Sequence, residues 1–157
     1  GVQTCALPIL SFYKELTTKY KASGDFAMAY VIAHEVGHHV QNELGILGKY
    51  HRMQQGLSEK ERNAISVRIE LQADYLAGVW ARSIQDRNLL DIGDIEEAMN
   101  AAHAVGDDTL QEQAYGYSVP DSFTHGTSEQ RMRWFKRGYQ YGDLQHGDTF
   151  SLSDSEL

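Results

Sequence analysis

The feature that most constrains the fold is AHEVGHHV, residues 33–40, where histidines and a carboxylate interrupt an apolar helical pattern. On a helix, His34 and His38 lie on one face a turn apart, so a single Zn²⁺ can bind both imidazoles. Glu35 is rotated by about 100° from His34 and can instead contact a water beside the metal. Polar groups in an apolar helix are costly unless a metal or hydrogen-bonding partners satisfy them. The fold must therefore bring such partners to this helix.

The residues around this motif predict a helix of the protein core. They make it apolar over most of its circumference: Tyr30, Val31, Ile32, Ala33, Val36 and Val40. Gly37 costs about 1 kcal/mol relative to alanine in the middle of a helix. We interpret it as room for close approach of another backbone or a substrate strand. His39 is rotated by about 100° from His38, so we expect it to pack or hydrogen-bond rather than bind the metal.

A catalytic zinc needs a third protein ligand, and the stretch RIELQADY, residues 68–75, offers one. Glu70 and Asp74 share a helix face by their spacing of four. If Glu70 binds the metal, Asp74 can accept the free N–H of a ligand histidine and fix its tautomer. The small residues Ala77 and Gly78 predict close packing of this helix against the motif helix. A solvated acidic stripe is the alternative, but the flanking apolar residues disfavour it.

Hydrophobic residues make up 41% of the 157 residues and charged residues 23%, which is typical of a globular domain. Helical periodicity and capping signals predict a mostly α fold. The predicted helices cover residues 10–21, 26–44, 58–86, 91–105, 107–115 and 127 to 138 or 142. Asp25 is the predicted N-cap of the motif helix. Capping boxes are predicted at Ser58 with Glu61 and at Thr127 with Gln130.

Three segments lie outside these helices. Residues 1–9, GVQTCALPI, resemble the translation of a sequencing adapter, so we exclude them and the lone Cys5 from the argument. Residues 45–56 are predicted to form a glycine-punctuated connection. The domain is expected to span 10–150, with a loose polar tail over 151–157.

The formal net charge of −8, without a basic block, argues against nucleic acid as a partner. No run of 18 or more apolar residues is present, so the sequence contains no predicted membrane span.

Four stretches together resemble the neutral zinc metallopeptidases of bacteria, of the gluzincin type. They are AYVIAHEVGHHVQN, RIELQADYLAGVWA, DIGDIEEAMNAAHAVGDD and HGTSEQRMRWFKRGY. The resemblance covers about residues 10–150 and implies a single zincin-like domain whose small N-terminal β-element is largely truncated. It implies that one Zn²⁺ per chain is held by His34, His38 and Glu70, with Glu35 as general base and Asp74 behind the ligands.

The resemblance also implies the activity, which is hydrolysis of peptide bonds in a peptide or protein substrate. Family members usually carry an N-terminal membrane anchor, so we expect the whole protein on the extracytoplasmic side of the bacterial membrane, or alternatively secreted. The oligomeric state is left open.

The stretch THGTSEQR, residues 124–131, is the best candidate for stabilising an oxyanion. It is similar to the His-Pro segment with a downstream arginine in some gluzincins, although Gly126 replaces the proline. His125 could donate to the oxyanion, and Arg131 could bind a substrate carbonyl or pin a carboxylate. A solvent-exposed histidine and a structural ion pair are the alternatives. Other candidates for the donor are Tyr115, Tyr117 and Tyr139, whereas surface positions are expected for His51, His103 and His146.

Three other functions share part of this pattern. A di-iron carboxylate bundle would use Glu35 and His38, but it needs a second Glu-x-x-His copy, and only Asp143 with His146 comes close. A catalytically silent zinc-binding module could recruit a protein partner, although it has no use for an unligated Glu35. An N-terminally truncated, inactive fragment would lack the substrate-aligning edge strand, which would lie upstream of Leu10.

Overall fold

The computed structural model describes residues 14, 15, 17, 18 and 24–157. Residues 24–157 contain six α-helices: α1 (Asp25–Glu43), α2 (Ile46–Met53), α3 (Glu59–Gln85), α4 (Asp94–Ala104), α5 (Asp107–Tyr115) and α6 (Ser128–Tyr141). Two short 3-10 helices cover Pro120–Ser122 and Gln145–Gly147. No β-strand occurs among the described residues. The prediction of a mostly α fold is confirmed.

Both predicted capping boxes are present and begin the two helices that pack most extensively on each other. The Ser58 hydroxyl accepts the Glu61 N–H, and the Glu61 carboxylate accepts the Ser58 N–H at 2.9 Å. Thr127 and Gln130 form the same reciprocal pair at the start of α6. Each box satisfies backbone donors that have no partner within the helix.

The predicted N-cap of α1 is wrong. Asp25 is the first helical residue, and Gly24, which has no side chain to cap with, precedes it. The backbone N–H of Phe26 instead donates to the Glu97 carboxylate of α4 at 3.1 Å. A contact 71 residues away along the chain thus replaces the local cap, which a local reading of the sequence does not detect.

Residues 45–56 are not simply a connection, because α2 occupies most of them. Gly45 has a φ of 73°, a left-handed conformation that lets the chain leave α1 and enter α2 at once. On α2, the ring of Tyr50 stacks on Phe150 with a centroid distance of 3.6 Å. A helix this short is marginal by itself, so a packing contact far along the chain accounts for what the local pattern missed.

The helix α3 lies between α1 and α6, and α4 packs on the same two helices. A Cβ on Gly37 would lie 2.9 Å from the Ala73 carbonyl oxygen, so the predicted close backbone approach at Gly37 is confirmed. The predicted partner of Gly78 is wrong, because its missing side chain leaves room for the backbone of α6 at Phe135 rather than for α1. Ala77 does join the α1 core residues, as predicted.

The solvent side of α1 also differs from the prediction. Tyr30, Val31 and Ala33 are buried, but Ile32 is 46% exposed and Val36 is 52% exposed. The helix is therefore apolar around most of its circumference without being buried on all of it.

Residues 147–157, here called the C-terminal segment, are packed rather than loose. Thr149 and Leu157 are buried. Arg68 of α3 donates to the carbonyl of Leu152 at 2.9 Å, and the Trp134 indole N–H donates to the carbonyl of Leu157 at 3.2 Å. Most of these contacts use backbone carbonyls, which is why a polar composition did not reveal them.

Within the predicted helix over residues 10–21, Lys14, Glu15, Thr17 and Thr18 are helical. Its apolar positions and the adapter-like residues 1–9 lie outside the described residues. None of the described helices is both long and apolar enough to cross a membrane. The expected membrane anchor stays a prediction.

Candidate metal centre

The structure brings His34 and His38 of α1 together with Glu70 of α3. The His34 Nε2 atom lies 3.1 Å from Glu70 Oε2, and the His38 Nε2 atom lies 3.4 Å from Glu70 Oε1. One ligand atom from each of the three side chains lies within 4.8 Å of the other two. The close approach of α1 and α3 at Gly37 makes this convergence possible.

Behind His34 lies a buried group of Tyr30, Asp74 and Arg131, here called the charged cluster. The His34 Nδ1–H donates to Asp74 Oδ1 at 2.8 Å, and the Tyr30 hydroxyl donates to the same oxygen at 2.6 Å. The Arg131 guanidinium donates through Nε to Asp74 Oδ2 at 2.8 Å and through Nη2 to Oδ1 at 3.0 Å. Asp74 thus lies where the sequence reasoning expected a carboxylate, against a candidate ligand.

The charged cluster sets the ionisation of Asp74. Burial by itself would raise the pKa of this carboxyl group, but the neighbouring charges of Arg131 and His34 lower it to about 2. Asp74 is therefore ionised and can only accept hydrogen bonds. It follows that the His34 Nδ1 atom carries a hydrogen and that Nε2 faces Glu70.

Behind His38 lies a second set of partners, and it is uncharged. The His38 Nδ1–H donates to Gln41 Oε1 at 2.8 Å. The Gln41 amide nitrogen donates to the Ile69 carbonyl at 2.8 Å and to Gln72 Oε1 at 3.0 Å. Sequence reasoning missed both glutamines. Gln41 could have been found from its position three residues after His38 on a helix predicted to lie in the core. It is fully buried, and a buried amide one turn from a ligand needs a hydrogen-bonding partner.

This donor set fits a divalent cation. Each Nδ1–H is committed to a partner, so each neutral ring presents the lone pair of Nε2 towards the Glu70 carboxylate. Lone pairs 3.1–3.4 Å apart repel unless a proton or a cation lies among them. Two imidazoles and one carboxylate are also the ligands of catalytic zinc sites that keep one position open.

The pKa values of His34 and Glu70 without a metal also indicate that the site favours a positive charge. Burial works to lower the pKa of His34, but the charge and hydrogen bond of Asp74 outweigh it, and the pKa rises to about 9. Burial works to raise the pKa of Glu70, but hydrogen bonds from His34 and His38 in their protonated, imidazolium form hold it well below its usual range. The site therefore holds a proton where a cation would bind.

A cavity of about 450 Å³ opens onto the three candidate ligands. It is lined by Tyr30, Val31, His34, Glu35, His38, Glu70, Val105, Leu110, His125 and Arg131. Glu35 is exposed and lies next in sequence to His34, so its carboxylate is accessible from the cavity. Three of the lining residues are apolar, Val31, Val105 and Leu110.

His125 lines this cavity from the loop that precedes α6, and Asp107 holds the loop in place. The Asp107 carboxylate accepts the backbone N–H groups of Thr124 at 2.6 Å, His125 at 2.7 Å and Gly126 at 3.2 Å. Asp107 Oδ1 also lies 3.3 Å from His125 Nδ1, and this hydrogen bond raises the pKa of His125. Sequence reasoning missed Asp107, because only the fold brings the start of α5 to this loop.

Of the two roles considered for Arg131, the contacts match pinning a carboxylate. Its side chain is buried and its donors reach Asp74, the Val105 carbonyl and the Tyr30 hydroxyl. The pairing with Asp74 counteracts the effect of burial and raises the pKa of Arg131. Direct contact of Arg131 with a substrate carbonyl is therefore not supported.

The remaining candidates lie away from the three ligands. Tyr115 and Tyr117 are exposed, and the Tyr139 hydroxyl donates to Gln85. His39 is exposed rather than packed. Surface positions, as predicted, are found for His51, His103 and His146.

The di-iron alternative finds no support among the described residues. His146 pairs with Asp143 at 2.8 Å on the surface. The second candidate metal cluster in the described part of the chain is purely acidic, with Asp25, Asp94 and Glu97.

The fold and the donor set define a candidate metal site with the donor pattern of gluzincins, two histidines one turn apart and a glutamate from a second helix. Residues 7–150 match the family described as "Putative neutral zinc metallopeptidase". The chain belongs to this family.

The curated relatives of this chain are named as uncharacterized proteins. The chain is 58% identical over 144 residues to the uncharacterized protein YpfJ of Escherichia coli, which covers 92% of this chain and 50% of the relative. It is 44% identical over 154 residues to the uncharacterized protein Rv2575 of Mycobacterium tuberculosis, covering 91% and 51%. The chain thus spans about half the length of these relatives. The comparison with solved structures found no match.

Proposed function

We propose that this chain is a zinc-dependent metallopeptidase domain that hydrolyses peptide bonds with Glu35 as general base. One observation carries the proposal. An accessible carboxylate, Glu35, lines the same cavity as a converging pair of imidazoles and the carboxylate of Glu70. A purely structural zinc site uses four protein ligands and needs no such neighbour.

His34, His38 and Glu70 would hold one Zn²⁺ per chain. Bound there, the ion would polarise the scissile carbonyl and lower the pKa of water towards about 7. The charged cluster and Gln41 hold the two imidazoles in the orientation that presents Nε2 to it.

Glu35 takes the proton of the attacking water and later passes it to the leaving amine. His125, whose pKa is raised by its hydrogen bond to Asp107, lines the cavity and in its protonated form can donate a hydrogen bond from Nε2 to the oxygen that gains negative charge. Arg131 acts through Asp74, so it is a positioning residue in this scheme.

The three apolar residues that line the cavity suggest which peptides bind. Val31, Val105 and Leu110 line the cavity beside Glu35, and burying an apolar side chain against them is favourable. We therefore expect cleavage next to an apolar residue of the substrate. A charged residue in that position would lose its hydration without gaining a partner.

The test compares zinc content and cleavage of a quenched peptide library for three proteins: the wild type, Glu35→Gln and Glu43→Gln. Glu43 is an exposed glutamate at the end of α1 and serves as the matched control. We expect about one zinc per chain in all three. Cleavage should fall by at least about 100-fold in Glu35→Gln only, because general base catalysis contributes that much.

Three outcomes would contradict the proposal. Equal cleavage by the wild type and Glu35→Gln would remove the role of Glu35. Zinc without cleavage would favour the silent binding module or an inactive fragment, and two irons per chain would favour the di-iron bundle.

For the whole protein, we propose a location on the extracytoplasmic side of the bacterial membrane, with secretion as the alternative. This rests on the family resemblance alone. Protease accessibility of the tagged full-length protein in intact cells tests it, and protection in both cells and spheroplasts would contradict it.

A further inference from the structure

A chain of buried amides connects His38 to the backbone of the C-terminal segment. The His38 Nδ1–H donates to Gln41, the Gln41 amide donates to Gln72 at 3.0 Å, and the Gln72 amide donates to the carbonyl of Gly147 at 2.9 Å. Gln41 is fully buried and Gln72 is 9% exposed. We call Gln41, Gln72 and the Gly147 carbonyl the amide chain.

The direction of every hydrogen bond in the amide chain follows from its backbone end. A main-chain carbonyl can only accept, so Gln72 must turn its NH₂ group to Gly147 and its oxygen to Gln41. Gln41 must in turn direct its NH₂ group to Gln72 and to the Ile69 carbonyl. The only atom it can offer His38 is its oxygen, so His38 Nδ1 carries the hydrogen.

The position of the Gly147 carbonyl is itself fixed by packing and by hydrogen bonds. A Cβ on Gly147 would lie 2.6 Å from the Tyr75 ring, so the backbone lies directly on α3. Two turns earlier on α3, the Thr149 hydroxyl donates to the Arg68 carbonyl at 2.7 Å. The Arg68 side chain also donates to the Leu152 carbonyl, as described above, and to Asp154 at 2.5 Å.

We propose that Gln72 and the docked C-terminal segment are positioning elements for the metal ligand His38. Through Gln41, the Ile69 carbonyl and, by way of Gln72, the Gly147 carbonyl together determine which nitrogen of His38 carries hydrogen and keep the lone pair of Nε2 facing Glu70. This inference rests on the metal site of the proposed function and does not depend on peptide cleavage.

The first experiment reads the tautomer directly in the metal-free, full-length chain by two-bond ¹H–¹⁵N NMR of the histidine rings. We expect neutral His38 in the wild type to be protonated at Nδ1. In Gln72→Met, the Gln41 amide keeps its hydrogen bond to the Ile69 carbonyl but loses its second acceptor, so we expect a minor form protonated at Nε2 to become detectable beside the form protonated at Nδ1. A wild-type His38 protonated at Nε2 would overturn the proposal without any variant having to fold.

The second experiment measures zinc affinity by competition with a chromophoric chelator. Loss of an outer partner of a metal ligand typically costs about 10–100-fold in affinity, and we expect this for Gln41→Leu. Gln72→Met keeps the Gln41 contact, so we expect a loss of about 10-fold, the lower end of that range. The matched control is Gln85→Met at the exposed end of the same helix, which should leave affinity unchanged.

Arg68→Met tests the C-terminal segment, because it removes contacts to that segment without touching a ligand. We expect weaker zinc binding and a changed visible spectrum of the cobalt-loaded protein. Unchanged zinc affinity in both Gln72→Met and Arg68→Met, with the helical circular dichroism intact, would overturn the proposal. A wild type that binds no zinc would instead count against the proposed function, and the tautomer measurement would still decide this inference.

Discussion

The two histidines of the candidate site lie one turn apart on α1 and yet have very different surroundings. Asp74, which accepts the Nδ1–H of His34, is an ionised carboxylate paired with Arg131. Gln41, which accepts the Nδ1–H of His38, is a neutral amide whose NH₂ group in turn donates to the backbone carbonyl of Ile69. Both arrangements present Nε2 to Glu70.

The difference separates two physical tasks that one carboxylate can perform together. A hydrogen bond to a fixed acceptor orients a ring and sets its tautomer, and an amide does this as well as a carboxylate. A buried charge also raises the affinity of the ring for a proton or metal, but it must be paired, here by Arg131. We therefore expect the charged cluster to act on metal affinity through its charge, and the amide chain to act on it only by orienting His38.

The largest expected effect is a loss of folding stability when the charge of Asp74 is left without its partner. Arg131→Met keeps the volume of the side chain but leaves Asp74, which is fully buried, without its counter-ion. Breaking a buried ion pair in this way costs about 3–5 kcal/mol. Urea unfolding should show this loss, while Arg133→Met, on the exposed side of α6, should match the wild type. Equal stability of the two variants would mean that Asp74 is not ionised in the folded protein.

The second prediction concerns zinc affinity. Asp74→Asn keeps an acceptor for His34 but removes the negative charge, so zinc affinity should fall by about 10–100-fold. Competition with a chromophoric chelator measures the zinc affinity. Because this change also leaves Arg131 unpaired, the double variant with Arg131→Met is the control. If the double variant regains wild-type zinc affinity, the charge of Asp74 is not what the metal requires.

The third and smallest effect is a pH dependence of the metal-free protein. The folded pKa of His34, about 9, is above the ordinary value of 6.5, so protonated His34 stabilises the fold fully below pH 6.5. This stabilisation is lost as the pH rises through about 9. The pKa values of Asp74 and Glu70 are depressed, so their contributions are present above their ordinary values of 3.8 and 4.5 and are lost as the pH falls.

Urea midpoints recorded between pH 6.5 and 9 test this expectation. The decline in stability over this range should be smaller in Asp74→Asn, because Asp74 is what raises the pKa of His34. Gln41→Leu should retain it, since the amide chain carries no charge. A midpoint that does not change with pH in the wild type would show that His34 binds no extra proton on folding.

How much of the site could be predicted depends on how local each signal is. His34, Glu35 and His38 follow from helical spacing within five residues, and Glu70 with Asp74 follows from the same spacing on a second apolar helix. The contacts of His125 with Asp107, and of Arg131 with Asp74, could not be predicted in the same way. Each joins residues 18 or 57 positions apart, and many acidic residues were available as partners.

By itself, the sequence determined five of the six described α-helices, the two capping boxes and the pair of motifs that face each other, because helical period and cap chemistry are local properties of the chain. The tertiary structure alone decided that Arg131 neutralises Asp74, that Glu97 rather than Asp25 caps α1, and that the C-terminal segment docks on α3. It also decided that Gln41 and Gln72 connect His38 to the carbonyls of Ile69 and Gly147. A main-chain carbonyl is present at every residue, so no residue type in the sequence marks the one that a distant side chain will use.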